Sequence, residues 1–132
     1  MNKEQLIAKA VEAQKGSYSP YSHFCVGAAL LCADGTVYTG CNIENASYTP
    51  TVCAERTAFF KAVSEGKRDF KAIAIVGGKE CEIIDFCAPC GVCRQVMSEF
   101  CRGDFEVYLW NGKESKTYTL SELLPASFSL DR

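Results

Sequence analysis

The chain has 132 residues, 48% of them hydrophobic, which suffices for one compact domain with a real core and is too little for two. A net charge of -2, with no basic run longer than Lys67-Arg68, lacks the electrostatic footprint that a phosphate backbone requires, so no nucleic-acid partner is expected. No uncharged apolar stretch of about 18 residues is present and Met1-Asn2-Lys3-Glu4-Gln5-Leu6 has no signal core, so no membrane association and a cytoplasmic location are expected.

Residues 2–14 place Leu6, Ile7, Ala10 and Val11 on one face and Lys3, Glu4, Lys9 and Glu12 elsewhere, which predicts an amphipathic helix stopped by Gly16. Ser17-Tyr18-Ser19-Pro20-Tyr21-Ser22 reads as a loop. Residues 26–32 and 36–42 then flank Ala33-Asp34-Gly35, a hairpin signature. Thr49-Pro50-Thr51 offers a helix entry with a hydroxyl cap, and residues 52–64 fill the helix, closed by Gly66. Residues 71–76 are almost continuously apolar, as a strand covered on both faces should be. Residues 90–100 form a second inner helix, ended near Gly103.

The last connection fixes the end of the sheet. Residues 105–110 and 116–120 are separated only by Asn111-Gly112-Lys113-Glu114-Ser115. A crossover helix needs about ten residues or more, so neighbouring strands here must be antiparallel. The expectation is an α/β fold over residues 1–132: a three-layer α/β/α sandwich with a five-stranded mixed sheet, last two strands antiparallel, and both cysteine-bearing helices on one face.

Those helices carry the chemistry. Cys53-Ala54-Glu55 is answered downstream by Pro89-Cys90-Gly91-Val92-Cys93, giving three thiolates and one carboxylate. Three protein ligands leave one position open on a tetrahedral zinc, and Glu55 beside it can take and return a proton. A redox pair or half of a zinc ribbon is the competing reading, but a ribbon needs a second close cysteine pair. Cys87 is three residues before Cys90, yet Pro89 marks the turn into the helix and leaves Cys87 on the preceding loop. His23, the only histidine, lies on a different element and reads as a loop residue.

An all-sulfur site has a charge problem. Zinc with three thiolates carries -1, which weakens its Lewis acidity unless a cation or helix N-termini offset it. Arg56, one turn from Cys53, is placed to donate to sulfur, and Arg94 follows Cys93 in the same way. The other six cysteines, Cys25, Cys32, Cys41, Cys81, Cys87 and Cys101, are expected to be reduced, buried thiols.

The pairing of Cys-Ala-Glu with Pro-Cys-x-x-Cys resembles the zinc nucleoside and nucleobase deaminases. Residues 18–29, Asn42-Ile43-Glu44-Asn45-Ala46-Ser47-Tyr48, Pro89-Cys90-Gly91-Val92-Cys93-Arg94-Gln95 and Leu123-Leu124-Pro125-Ala126-Ser127-Phe128 are similar, in order, to the small homotetrameric cytidine deaminases. That resemblance implies one zinc per chain and hydrolytic deamination of cytidine and 2'-deoxycytidine in pyrimidine salvage. It implies Cys53, Cys90 and Cys93 as ligands and Glu55 as the catalytic acid and base. Phe24 would pack on the pyrimidine, Asn42 and Glu44 would bind ribose hydroxyls, and the backbone at Ala54 would receive a base oxygen. Phe128 would reach a neighbouring subunit's pocket, so that a homotetramer shares its active sites. Free nucleosides are expected over nucleotides, because the site offers a phosphate no basic clamp. Two rivals are deaminases of a larger aminoacyl-nucleoside antibiotic, which share the metal motifs, and a zinc-stabilised binding module without catalysis.

Overall fold

The computed structural model describes residues 1–130. Its elements run α1 (Lys3–Gln14), β1 (Phe24–Cys32), β2 (Val37–Cys41), α2 (Ala54–Ser64), β3 (Phe70–Lys79), α3 (Gly91–Phe100), β4 (Glu106–Trp110), β5 (Ser115–Thr119) and α4 (Leu120–Leu123). The five strands form one sheet in the order β2-β1-β3-β4-β5. β4 and β5 pair antiparallel, as the short connection requires, and β3 with β4 is the parallel pair. α3 and its flanking loops make that crossover.

Each face of the sheet has its own core. Leu6, Ile7 and Ala10 of α1 pack on Ala29, Leu31, Ala72, Ala74 and Val76. On the opposite face, Ala54, Ala58, Phe59 and Ala62 of α2 and Cys93 and Met97 of α3 cover Ala28, Leu30, Ile73, Ile75, Val107 and Leu109. The alternation along β3 therefore serves both layers, which explains its near-continuous apolar sequence.

Phe59 holds α2 and α3 together. It is fully buried, with ring centroids 5.1 Å from Phe70, 6.4 Å from Phe100 and 6.0 Å from Phe105. Burying such a side chain contributes about 1.5–3 kcal/mol. Two strand glycines bring the helices close. A Cβ on Gly27 would meet Gln14 N at 2.5 Å, and one on Gly40 would meet Ala58 N at 2.6 Å. α1 and α2 thus rest directly on strand backbone.

Several boundaries differ from the sequence reading. α2 starts at Ala54, two residues late, because Val52 pairs with Ile43 in an antiparallel bridge and Cys53 takes the extended cap conformation. The hydroxyls of Thr49 and Thr51 therefore do not cap it. α3 likewise starts at Gly91 with Cys90 as its cap. β3 continues to Lys79, because Gly77, Gly78 and Lys79 keep pairing with Val26, Cys25 and Phe24. α4 was not anticipated; Thr119 caps it reciprocally with Glu122, accepting from Glu122 N at 3.3 Å while Glu122 Oε1 accepts from Thr119 N at 2.7 Å.

The cysteines require a further correction. Cys25 and Cys81 form a disulfide, so they are not reduced thiols, and Cys81 is exposed. The pairing of Cys25 with Gly78 across β1 and β3 brings the turn after β3 back over the sheet end, leaving the two Cα atoms 4.9 Å apart. Of the remaining four outside the motif, only Cys32 is fully buried; Cys41, Cys87 and Cys101 are half-buried. Among the described residues, no helix is long and apolar enough to cross a membrane.

Candidate active site

Cys53 and Cys90 cap α2 and α3, and Cys93 lies one turn into α3. Since the Phe59 cluster joins these two helices on one face of the sheet, their first turns converge. The Cys53 and Cys90 sulfurs are 3.7 Å apart, Cys90 and Cys93 3.5 Å, and all three lie within 4.8 Å of one another. Zinc–sulfur bonds of about 2.3 Å in tetrahedral geometry place sulfurs about 3.8 Å apart, so the triad fits that ion. Neither cap side chain bonds the helix start, so the sulfurs remain available as ligands.

Glu55 sits at the second position of α2 and is only 4% exposed. Its Oε1 has no hydrogen-bond partner within the chain. Burial, and then the negative Cys53, push its carboxyl up to about 7, with its own backbone N–H pulling the other way. A buried carboxyl with one unpartnered oxygen, beside three sulfurs, is equipped to exchange a proton near neutral pH.

Cys53 is the thiolate of the set before any metal enters. Its pKa falls to about 5, chiefly through a hydrogen bond from Cys93 and then through Arg56 and Cys90. Cys93, as the donor, is held high instead. Cys53 and Cys93 thus divide the roles of thiolate and donor. Arg56 Nη2 reaches Cys53 Sγ at 3.4 Å, in the predicted place. Arg94 does not: its Nε donates to the Pro89 carbonyl and its Nη1 to the Leu123 carbonyl, each at 2.7 Å. It fastens the start of α3 to the end of α4 and leaves the sulfurs alone. Thr57 performs a similar task for α2, donating to the Cys41 and Cys53 carbonyls at 3.0 and 3.3 Å.

The Phe24 ring and the Cys87 thiol meet over Gly77. A Cβ on Gly77 would meet Cys87 Sγ at 2.7 Å and Phe24 Cε1 at 3.1 Å, so bare strand backbone forms the floor under both. Burial pushes the Cys87 thiol up to about 12, with Glu55 and Cys53 adding to the effect. Cys87 thus lines the site as a neutral thiol outside the triad. His23, with a φ of 60°, occupies the exposed turn before β1, as expected of a loop histidine.

Asn42 and Glu44 are already engaged. Asn42 Oδ1 accepts from Ser17 Oγ at 2.5 Å and Val26 N at 2.9 Å, while Nδ2 donates to the Phe24 carbonyl at 2.8 Å. One amide N–H remains for a ligand. Glu44 accepts from the backbone of Tyr21 and Ser22 and from the Ser22 hydroxyl, and these bonds, that hydroxyl first, hold its pKa low. Tyr21, Ser22, Glu44, Asn45, Tyr48 and Thr51 enclose a cleft of about 280 Å³. Neither this cleft nor the larger hollows, of about 560 Å³ beside Trp110 and about 640 Å³ beside Phe100, are lined by the three sulfurs or Glu55. Ala54 is fully buried at the start of α2. Phe128 stands apart, 66% exposed, its carbonyl accepting from Gln95 Nε2 at 3.1 Å. Sequence reasoning gave no role to Ser17 and Thr57, which no motif spacing marks, or to Ser22, which lies in the 18–29 stretch but bonds a residue distant along the chain.

Three convergent cysteines with a buried acid, on two helix starts over a mixed sheet, define a metal-dependent hydrolytic site. The model of the cytidine and deoxycytidylate deaminase zinc-binding region matches residues 1–109, and the chain belongs to that family. It is 55% identical over 130 residues to a cytidine deaminase of Sporosarcina psychrophila, covering 98% of this chain and 93% of that one. The crystal structure of cytidine deaminase from Burkholderia pseudomallei is similar with a TM-score of 0.89 and 46% identity, covering 97% of this chain and 100% of the other. A Blasticidin-S deaminase of Bacillus cereus is 33% identical over 129 residues, covering 95% of this chain and 91% of that one. The Cys53, Cys90 and Cys93 cluster lies within the matched zinc-binding region and could hold one metal ion per chain.

Proposed function

We propose that this chain is a zinc-dependent cytidine deaminase, converting cytidine and 2'-deoxycytidine to uridine and 2'-deoxyuridine with release of ammonia, as pyrimidine salvage requires. The observation that carries the reading is the juxtaposition of buried, half-partnered Glu55 with the Cys53, Cys90 and Cys93 sulfurs. Zinc held by those three cysteines would supply Lewis acidity that makes water nucleophilic near neutral pH. Glu55 takes a proton from the attacking water, whose oxygen adds at cytosine C4. It delivers that proton to ring N3, then takes the second proton from the new C4 hydroxyl to the departing amino nitrogen, so C4=O forms as the C4–N bond breaks and ammonia leaves. Arg56 offsets the excess negative charge at Cys53.

Phe24 packs on the pyrimidine in this reading, the Ala54 backbone receives a base oxygen, and Asn42 with Glu44 hold the sugar. The anionic, braced Glu44 favours a neutral diol over a phosphate, which supports free nucleosides as substrates. Identities of 55% and 52% to two cytidine deaminases, against 33% to the Blasticidin-S deaminase, support the simple nucleoside over the aminoacylated one. Exposed Phe128 on a terminal segment is consistent with a homotetramer in which it completes a neighbour's site, and the cytoplasm is the proposed location. Loss of ultraviolet absorbance from cytidine and deoxycytidine with purified protein tests the function. No loss from either, at one zinc per chain, would favour a zinc-stabilised binding module instead.

A further inference from the structure

The sugar-side and ring-side groups meet at one hydroxyl. Ser22 Oγ donates to Glu44 Oε2 and, with its lone pair, accepts the Phe24 backbone N–H at 3.0 Å. Ser22 N also donates to Glu44 Oε1 at 3.1 Å, where Tyr21 N joins it at 3.0 Å. A carboxylate has about four acceptor positions, so these three bonds leave one, on Oε2. The opposite end of the Phe24 residue is fixed as well, because its carbonyl accepts from Asn42 Nδ2. Phe24 is therefore tied through its N–H to Glu44 and through its carbonyl to Asn42.

We infer that Ser22 is a positioning residue for nucleoside binding, its hydroxyl setting the spacing between the aromatic surface at Phe24 and the single free acceptor of Glu44. This rests on the ribose role proposed for Glu44. Ser22 is exposed, so the groups it serves can turn to water when the hydroxyl is removed, and the fold loses little. What is lost is prearranged geometry, which shows in substrate binding. A hydrogen bond to a charged group is worth enough that Ser22→Ala should raise the KM for cytidine on the order of tenfold. Its kcat should stay within about twofold, since Glu55 and the sulfurs are untouched.

The test compares cytidine with 2',3'-dideoxycytidine, which keeps the base and the 5'-hydroxyl and lacks the 2'- and 3'-hydroxyls. The hydroxyl deletion and the serine deletion form a cycle that isolates their coupling. The expected result is a raised KM for cytidine, an unchanged KM for the dideoxynucleoside, an unchanged urea midpoint, and recovery in Ser22→Thr, which restores the hydroxyl. Glu44→Gln is measured alongside. If it raises the cytidine KM while Ser22→Ala does not, the inference fails and the sugar reading stands. An equal rise for both substrates in Ser22→Ala reduces Ser22 to a loop-stabilising role and also overturns it. No effect of Glu44→Gln on cytidine would remove the sugar reading and the inference with it.

Discussion

Replacing Gly40 by alanine probes how the fold delivers Cys53 to the metal centre. The added methyl would lie 2.6 Å from Ala58 N and 3.0 Å from Thr57 Cβ, and would also strike the Ala54 carbonyl. Two of these are helix backbone, which cannot rotate aside. Reaching an ordinary contact of 3.4 Å at Ala58 N requires α2 and β2 to separate by roughly 0.8 Å, and overpacking of this kind costs about 1–3 kcal/mol. Because Ala54 is among the clashing residues, the shift falls on the turn that carries Cys53 and Glu55. A misplacement of about 1 Å at a reacting group can cost about 100-fold in rate, so turnover should fall by at least about tenfold. Urea unfolding followed by Trp110 fluorescence, at fixed zinc and chain concentration, reads the stability change as a midpoint shift at unchanged slope. Gly91→Ala is the control: it makes the same chemical change beside Cys90, where nothing lies within 4 Å, and should leave midpoint and zinc content intact. An unchanged midpoint and turnover in Gly40→Ala would refute the close seating of α2 on β2.

Arg56→Gln should release zinc to a chelator faster, or turn over more slowly, at an unchanged unfolding midpoint; no change in either would dismiss the charge-offset role. Thiol titration of denatured, metal-free protein should count the seven free cysteines, and a count of nine would exclude the Cys25–Cys81 bond. Closing that loop contributes about 4 kcal/mol in the chain-entropy view, so a reductant should lower the midpoint as well. Stripped of metal, the wild type should lose stability relative to stripped Glu55→Gln as pH rises, on top of the opposite gain that the lowered Cys53 pKa gives both proteins. The Glu55 pKa is about 7 when folded against 4.5 in its reference state, so the native form binds the proton more tightly across that window. The loss, on the order of 3 kcal/mol between those values, should be missing in stripped Glu55→Gln, and parallel pH profiles would contradict it.

Much of this molecule was legible in its sequence because the signals were local and mutually consistent. Periodicity located the helix that buries Leu6, entry and stop signals the one that buries Phe59, and five residues between the last strands left no route but an antiparallel return. The metal triad was legible for a related reason, since cysteine caps at two helix starts carry their spacing in the sequence. What escaped depended on contacts distant along the chain. Val52 looked helical but pairs with Ile43, and Cys25 finds Cys81 only after β1 and β3 have set their register. Arg94 sits beside a ligand in sequence, yet its guanidinium is drawn to the Pro89 and Leu123 carbonyls. Ser22 lies within the 18–29 resemblance but was given no role there, since its bonds to Glu44 emerge only once the loop closes over residue 44.

The central claim, that Glu55 moves the protons while the three cysteines hold the metal, is tested most directly by Glu55→Gln. Zinc content and cytidine turnover should be measured on the same preparation. Removing a general acid and base typically costs about 100- to 10,000-fold in rate, so one zinc per chain with turnover reduced by that order is the expected result. Near-wild-type turnover at full zinc occupancy would contradict it.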